Sequence, residues 1–545
     1  MKRALGVFWG LFCILLNLSS CTLTRQLSGN RTLYEAGLNS IDELLYSPKA
    51  YKTIRLPRNI VYAGGSYINL LTQKMMNQAN TVYIIKYDYD LNKGTITLPT
   101  NCVLQFEGGS ISNGKIQSKE GNVVGVKNKR DGRIFNNVIL YTASSGYGLN
   151  WKIRGVAKSG WFSNDNNILY NARAFDGLIL EDDVEVTDCN LGYSFNELWA
   201  RDKDYAIYGN GHKITIHNGE KERQEAFIRC INGTLTMKDV SVSMDAENMY
   251  AVVSAMNLKM ENCMVSSKNR CLCSSTRDHS IKWDIKNTKL YSKTFAIEAT
   301  ASSIDEVTIE GGVIDDIYDG EAITYGFDKI SIGNNYIDGY EGKVILRNTK
   351  LIGGIESVHL QEVLFSNCEL AFPTVGSRGD NLQSNRLEYD NCRFTGFRDG
   401  LVMRSGFRSY ISCFDTVTIK DCTFDIKNYE DFYDGSVSRG CLSFRKVSSV
   451  SLVNNRFSVV PIKGRNWFNS DIDFIECGDV ELSGNEFDSK DDTFYRLHAD
   501  KGTRIISKKK NTSTAQHFLI GSKTGSGLPV NKTWQNRILS EEEKQ

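Results

Sequence analysis

Six-residue segments with one shared pattern of apolar and polar positions recur through the middle of the chain. Each begins with an apolar residue, has Asn, Asp or Gly at its third position and ends with an apolar residue. The third positions are separated by 23, 25, 24, 23, 33, 24, 30, 33 and 30 residues. They are Asp239, Asn262, Asn287, Gly311, Asn334, Asn367, Asn391, Asp421, Asn454 and Gly484. A recurring base period with occasional insertions predicts a solenoid.

The segments are rich in β-branched and aromatic residues and lack the amphipathic helices of helical repeats, so the pattern predicts short strands. An Asn at the same turn of each coil can bond the backbone and the Asn above it, which predicts a ladder. A Cys follows the ladder position at Cys263, Cys368, Cys392 and Cys422. We expect these thiols to form a buried column of free cysteines. The alternative, a metal-binding thiol ladder, is disfavoured because no His or carboxylate accompanies them.

The segments ITLPTNCVLQFEGGSISNGKI (Ile96–Ile116) and YAIYGNGHKITI (Tyr205–Ile216) are similar to opening coils of one known superfamily. Together with the repeat they resemble the right-handed parallel β-helix proteins, which include pectate lyases, chondroitinase B, polygalacturonases and phage tailspikes. The resemblance covers roughly residues 80–510. It implies an all-β, right-handed parallel β-helix of about ten or more coils with an N-terminal cap. Because one solenoid supports many activities, it does not by itself define the chemistry.

The N-terminus has the features of an export signal. Lys2 and Arg3 precede an apolar run, Leu5 to Leu18, that is short for a membrane span. The Leu-Ser-Ser-Cys sequence ending at Cys21 resembles the lipobox of bacterial lipoproteins, which implies cleavage before Cys21 and lipidation of that residue. The protein would then be an outer-membrane lipoprotein, on the periplasmic or the cell-surface face. The alternative is an ordinary cleaved signal peptide in which Cys21 is incidental.

The sequence divides into segments by composition and by the position of the repeat. Residues 151–204 interrupt the repeat, and the stretch from Trp161 to Phe175 predicts a short capped helix. The predicted order is a signal peptide (1–20), a lipidated tether and cap (21–80), opening coils (81–150), a helical cap or insertion (151–204), the main β-helix with its groove (205–510) and a C-terminal tail (511–545).

Charge and motifs exclude several classes of function. The chain has 545 residues, with 65 Lys and Arg against 64 Asp and Glu. A formal net charge of +1 argues against a broadly basic nucleic-acid binder. The sequence contains no P-loop, HExxH or GxSxG motif and no zinc-type cysteine spacing. We therefore expect no nucleic-acid partner. The ligands of any metal stay unknown, and the expected oligomeric state is a monomer.

A row of arginines is the sharpest candidate for chemistry. Arg347, Arg404 and Arg445 occupy the same place in three strands that follow ladder turns, within VILRN, LVMRS and LSFRK. They are predicted to rise one above another at roughly 5 Å steps, the spacing of neighbouring strands. Stacked guanidinium groups repel unless anions lie among them, and Arg binds carboxylate and sulfate bidentately. The alternative is that each Arg pairs with an acidic neighbour on the solenoid surface.

Further basic and aromatic residues accompany this predicted row. Sugars bind well to aromatic surfaces beside charged groups, so we assign these residues to substrate binding. They are Arg378, Arg398, Arg408, Arg439, Lys446, Tyr429, Tyr433 and His279.

The basic row on a predicted parallel β-helix favours a polysaccharide lyase. In the lyases that the chain resembles, Arg or Ca²⁺ neutralises a uronate carboxylate, a base removes the C5 proton, and the C4–O bond breaks by β-elimination. We predict an acidic polysaccharide substrate, with glycosaminoglycans of the chondroitin or dermatan sulfate type favoured over pectin. We expect either no cofactor or Ca²⁺, and the calcium aspartates of pectate lyases cannot be assigned to particular residues of this sequence.

Two alternatives remain open at the level of sequence. One is a glycoside hydrolase on the same fold, using Asp315, Asp316 or Asp380 with an unidentified partner. The other is a surface glycan binder without catalytic activity.

Overall fold

The computed structural model forms two compact units, one ending at Ile214 and one beginning at Thr215. The residues described are 52–118, 123–128, 133–142, 156–163, 165–187, 198–217, 223–245, 249–274, 280–299, 303–315, 328–333, 341–371, 375–376, 384–395, 409–426, 440–459, 470–488, 495–499, 502–509, 511–513 and 519–520.

The first unit is built from short strands and one α-helix. Its strands are β1 (Lys52–Arg55), β2 (Ile60–Ala63), β3 (Ser66–Asn69), β4 (Thr81–Ile85), β5 (Tyr89–Asp90), β6 (Thr95–Leu98), β7 (Val103–Glu107), β8 (Ile111–Ser118), β9 (Val123–Asn128), β10 (Phe135–Thr142), β11 (Val156–Lys158), β12 (Gly177–Ile179), β13 (Val184–Val186), β14 (Leu198–Arg201), β15 (Tyr205–Tyr208) and β16 (Lys213–Ile216), within which the chain passes to the second unit. The helix is α1 (Asp165–Ala172), and 3-10 turns occupy Gln73–Met75 and Ser159–Trp161.

Parallel pairing runs through the first unit. Strands β1, β4, β7 and β9 stack in one sheet, and β8 pairs in parallel with β5, β6 and β10. The helix α1 falls within the segment predicted to interrupt the repeat. However, β11 pairs with β12, and β12 pairs with β15, all in parallel. The helix therefore lies between β11 and β12, two strands that pair with each other.

The second unit consists of strands with long-range parallel pairing. They are β17 (Arg223–Lys238), β18 (Ser241–Met244), β19 (Met249–Glu261), β20 (Met264–Ser267), β21 (Arg270–Cys273), β22 (Ser280–Ser292), β23 (Ile297–Ala299), β24 (Ser303–Asp315), β25 (Asp328–Gly333), β26 (Glu341–Arg347), β27 (Lys350–Ile352), β28 (Gly354–Val358), β29 (Leu360–Ser366), β30 (Glu369–Ala371), β31 (Val375–Gly376), β32 (Ser384–Asp390), β33 (Arg393–Thr395), β34 (Ser409–Lys420), β35 (Thr423–Ile426), β36 (Gly440–Val453), β37 (Arg456–Val459), β38 (Ser470–Ile475), β39 (Asp479–Ser483), β40 (Glu486–Phe487), β41 (Tyr495–Ala499), β42 (Arg504–Lys509), β43 (Thr512–Ser513) and β44 (Leu519–Ile520).

These strands stack in three columns, A, B and C, which the chain visits in that order in each coil. Column A includes the buried residues Ile228, Val253, Leu272, Ile297, Ile330 and Ile355. Column B includes Leu235, Leu258, Trp283, Val307, Val344 and Val363. Column C includes Val242, Val265, Leu290, Ile314, Leu351 and Leu370. The all-β prediction is confirmed, and this unit is a parallel β-helix with its core inside the three columns.

Side chains at the same interior position of successive coils contact one another, because neighbouring parallel strands are about 4.8 Å apart. In column C the ring centroids of Phe394 and Phe424 are 4.1 Å apart. Phe424 and Phe457 follow at 4.5 Å, and Phe457 and Phe487 at 4.9 Å. All are buried. This continuous ring stack replaces the aliphatic core of the earlier coils.

The turn from column B to column C has one residue in the left-handed region, which Asn tolerates better than most residues. It has φ of 54° at Asn262, 52° at Asn391 and 53° at Asn454. The Nδ2 group of Asn391 donates to Oδ1 of Asn367 at 2.8 Å, and that of Asn262 donates to Asp239 at 3.0 Å. The predicted ladder is therefore confirmed at these turns.

The ladder residue predicted at Asn334 lies outside the described residues. The left-handed residue of that coil is Asn348, with φ of 51°. Residues 316–327 separate β24 from β25, whereas Gly353 alone separates β27 from β28. These unequal connections displace the turn within the repeat, so counting along the sequence selects the wrong Asn.

The buried cysteine column is confirmed for the described residues. The Cys392 N–H donates to Sγ of Cys422 at 3.3 Å, and Cys368 precedes them in the same interior file. The free, buried cysteines are Cys102, Cys230, Cys263, Cys271, Cys273, Cys368, Cys392, Cys422 and Cys477. Beyond Cys422 the file continues as buried Asn455 and Asn485, which the sequence pattern did not reveal.

Folded protein should react with an alkylating reagent at few of its thiols, even in mildly alkaline solution. Burial raises the pKa of the Cys263 thiol to about 11, so the reactive thiolate is scarce until the pH approaches that value. If Cys13 is removed with the predicted signal peptide and Cys21 is lipidated as predicted, unfolded protein should expose the remaining twelve of its 14 cysteines. Mass mapping after a short alkylation pulse would measure both numbers. Rapid labelling of Cys263 in folded protein would contradict the buried column.

Candidate functional site

The connections that enter and leave column A vary more in length than those between columns B and C. The turn from B to C is short and uniform, whereas long connections enter and leave column A. Those that enter it include residues 316–327, 396–408, 427–439 and 460–469. Those that leave it include residues 274–279, 334–340 and 377–383. Because binding residues concentrate on loops that a rigid scaffold positions, we take column A as the candidate site.

Most of the predicted binding residues fall in these connections by sequence. They lie outside the described residues, so their predicted roles stay predictions. They are Arg378, Arg398, Arg404, Arg408, Arg439, Tyr429, Tyr433 and His279. Cys21, Asp316 and Asp380 also lie outside the described residues.

The predicted single row of arginines is wrong for Arg347 and Arg445. Arg347 ends β26 in column B, where its strand neighbours are Glu310 and Ser366. Arg445 lies in column A, where β36 pairs it with Ser412 and Ile475. The count for Arg347 began at Asn334, whereas Arg347 directly precedes Asn348, the left-handed residue of its coil. Arg445 remains on the candidate face, followed by the exposed Lys446 at φ of 52°.

Arg347 instead belongs to a file of alternating charge along column B. In register the file contains Lys238, Glu261, Lys286, Glu310 and Arg347. Lys238 Nζ lies 2.9 Å from Glu261 Oε2. A parallel file includes Lys343 and Glu362, whose charged atoms are also 2.9 Å apart. These surfaces neutralise themselves, so column B offers little excess charge to an anionic ligand.

Asp315 is also remote from column A. It ends β24 in column C, is buried, and pairs in register with Tyr291. Within the described residues, no group of three or more His, Cys, Asp or Glu side chains could hold a metal ion. Asp315 therefore does not lie on the candidate face.

A cluster of polar side chains does lie on column A. Arg229, Ser254, Cys273 and Glu298 follow one another in register on adjacent strands. The Tyr250 hydroxyl donates to Oε2 of Glu298 at 2.6 Å. The Arg270 Nε donates to the same oxygen. One carboxylate oxygen thus holds a phenol and a guanidinium together, and we call Tyr250, Arg270 and Glu298 the Tyr–Arg–Glu cluster.

The Arg270 side chain is fixed by contacts other than Glu298. Its guanidinium carbon lies 4.1 Å from the Tyr250 ring centroid and 5.5 Å from that of Phe295. Its Nη1 donates to Asn269 Oδ1 at 2.8 Å, and the Thr294 hydroxyl donates to that oxygen at 3.2 Å. These contacts orient the guanidinium before any ligand arrives, which lowers the entropic cost of binding an anion.

Burial and charge determine the protonation of the cluster. Burial raises the pKa of Tyr250, and its hydrogen bond to Glu298 raises it further, while Arg270 opposes the change. Burial also raises the pKa of Cys273 to about 11, although its hydrogen bond with Ser254 acts the other way. Tyr250 is therefore a neutral proton donor at ordinary pH. The Arg270 and Glu298 side chains each keep 19% of their surface exposed, so a ligand can reach them.

No known protein-family model, curated protein or solved structure matches this chain. Among the described residues, no helix is both long and apolar enough to cross a membrane.

What defines the molecule is a parallel β-helix with a preorganised Tyr–Arg–Glu cluster on its most variable face. The sequence search for stacked arginines missed this cluster, because its residues come from separate strands and share no local motif.

Proposed function

We propose that the protein is a polysaccharide lyase that cleaves a uronate-containing polysaccharide at column A. The observation that carries this proposal is the Tyr–Arg–Glu cluster, which joins a preorganised cation, a neutral acid and a carboxylate within direct hydrogen-bond contact. The long connections beside column A support it, since a chain-like substrate needs an extended groove. We further propose that Cys21 anchors the enzyme to the outer membrane as a lipoprotein.

Arg270 would neutralise the uronate carboxylate. Its guanidinium can donate hydrogen bonds to two carboxylate oxygens, and its partial exposure lets a sugar approach. Neutralising the carboxylate makes the C5 proton more acidic and stabilises the negative charge that develops as that proton leaves. Arg270 would then donate hydrogen bonds to the substrate carboxylate in place of some of those that it donates to Glu298.

Glu298 and Tyr250 would move the protons. The Glu298 carboxylate takes the C5 proton, the electron pair of the C5–H bond forms the C4=C5 double bond, and the C4–O bond breaks. Tyr250 gives its phenolic proton to the departing oxygen, which suits a phenol kept neutral by its raised pKa. The proton held by Glu298 then returns to Tyr250 through their 2.6 Å hydrogen bond, which restores both groups.

The substrate class is set by the carboxylate that Arg270 would bind. The sequence-based preference for sulfated glycosaminoglycans rested on three stacked arginines, and the register removes Arg347 from that row. Arg445 lies on column A, and Arg404 remains a prediction. We therefore propose uronate polysaccharides in general, with chondroitin and dermatan sulfate as the first to assay and pectin next.

A glycoside hydrolase on the same fold is the second candidate. Glu298 would then be one of the two carboxylates that such an enzyme places on either side of the glycosidic bond.

Incubation of the protein with chondroitin, dermatan sulfate, pectin and alginate would separate the candidates. A lyase produces a C4=C5 double bond conjugated with the carboxylate, which absorbs ultraviolet light, together with new reducing ends. A hydrolase produces reducing ends without that absorbance. Binding without either product would indicate a glycan binder and would overturn the proposal of an enzyme.

A further inference from the structure

The hairpin formed by β2 and β3 has an unusual surface. Its strands are antiparallel, with Ile60 opposite Asn69 and Tyr62 opposite Tyr67. The turn between them places Gly64 at φ of 60° and Gly65 at φ of 88°, a conformation that suits glycine in a tight two-residue hairpin. The rings of Tyr62 and Tyr67 meet edge to face at a centroid distance of 5.3 Å.

Both faces of this hairpin are apolar. Val61 and Ile68, on one face, are half-buried. On the other face Ile60, Tyr62 and Tyr67 are 58%, 67% and 77% exposed. Within the described residues these are the large hydrophobic side chains that remain exposed. A hairpin that faces water on one side ordinarily has polar residues there, so this face indicates a contact with something other than water.

The surrounding sequence is strongly basic. Residues 52–87 contain no Asp or Glu. They contain the cations Lys52, Arg55, Arg58, Lys74 and Lys86, all of which are exposed. This local excess contrasts with a whole chain whose net charge is only +1. The combination of exposed tyrosines and cations is complementary to an anionic, partly apolar surface.

We propose that the β2–β3 hairpin docks on an anionic lipid bilayer. Tyrosines favour the membrane–water interface because the ring is apolar and the hydroxyl is polar. The exposed lysines and arginines of the flanking sequence would attract anionic headgroups, and both effects add to the lipid predicted on Cys21. The hairpin begins soon after the tether that starts at Cys21, so an anchored chain holds this surface within reach of the bilayer.

The test is vesicle binding by the mature chain, which begins at residue 21, carrying Cys21→Ser so that no lipid is attached. Binding is measured by co-sedimentation with vesicles of phosphatidylcholine and phosphatidylglycerol, and with vesicles of phosphatidylcholine alone. We expect stronger binding to the anionic vesicles, weakened by salt because screening reduces the attraction. Equal binding to both kinds of vesicle, or no binding, would overturn the proposal.

A matched pair of double variants tests the hairpin itself. Tyr62→Ser with Tyr67→Ser removes the apolar rings and should weaken binding to anionic vesicles by about ten-fold or more. Tyr62→Phe with Tyr67→Phe keeps the rings and should change binding by less than about three-fold. Both sites are exposed, so melting temperatures should match that of the parent. Unchanged vesicle binding by the Ser variant would overturn the proposal. If that variant instead loses self-association or glycan binding, the hairpin is assigned to that other partner.

This assay contains no polysaccharide and needs no turnover. Failure of the hairpin proposal therefore leaves the lyase proposal untouched, and the reverse also holds.

Discussion

Tyr250→Phe should reduce the kcat of polysaccharide cleavage by about 10²- to 10⁴-fold, the usual contribution of a positioned general acid. The substitution removes only the hydroxyl that donates to Glu298, and it keeps the ring that packs against Arg270. Glu298 retains Arg270 as a partner, so we expect the folded state to lose only about 1 kcal/mol. Initial rates across a range of substrate concentrations would separate kcat from KM.

Two further variants distinguish a catalytic cluster from a structural one. Tyr291→Phe changes another half-buried tyrosine, on column C, and should leave turnover intact. Arg270→Lys keeps the charge but loses the planar fork, so kcat/KM should fall by about ten-fold or more. If Tyr250→Phe lowers the melting temperature yet keeps full turnover per folded molecule, the cluster is structural and the lyase proposal loses its main support.

Asn485→Ala should destabilise the second unit by at least about 3 kcal/mol, because several buried polar groups lose their partners at about 1–3 kcal/mol each. The Asn485 Nδ2 donates to the Leu452 carbonyl at 2.7 Å, and its Oδ1 accepts from the Asn455 N–H at 2.9 Å. The side chain also bonds Asn511 at 3.0 Å. Water cannot easily replace these contacts, since Asn485 is only 1% exposed.

Urea unfolding would measure this loss as a lower midpoint. Ser451→Ala, on the outward face of column B, is the matched control and should shift the midpoint little. A midpoint for Asn485→Ala equal to that of the parent would mean that the interior asparagines do not hold these coils together.

Periodicity in the sequence predicted the coils correctly wherever the connections were short or equal. Asp239, Asn262 and Asn287 are ladder residues because only one short turn joins columns B and C, and Asn tolerates its left-handed conformation. The buried thiols followed from the same reasoning, since a residue at a fixed distance from the ladder position recurs at a fixed place in the core. The ladder and the thiols depend on local backbone geometry and on a constant number of residues between the ladder position and the cysteine. Both can be recognised within one short segment of the sequence.

The candidate site could not be predicted in this way. Tyr250 and Arg270 meet at Glu298 because column A stacks three successive strands, and unequal connections set which residues come into register. The same inequality separated Arg347 from Arg445, which the sequence had aligned. The sequence by itself therefore determined the strand pattern, the turn chemistry and the buried core of this protein. Only the tertiary structure decided which charged side chains meet, because contacts between coils depend on the register of strands far apart in the chain.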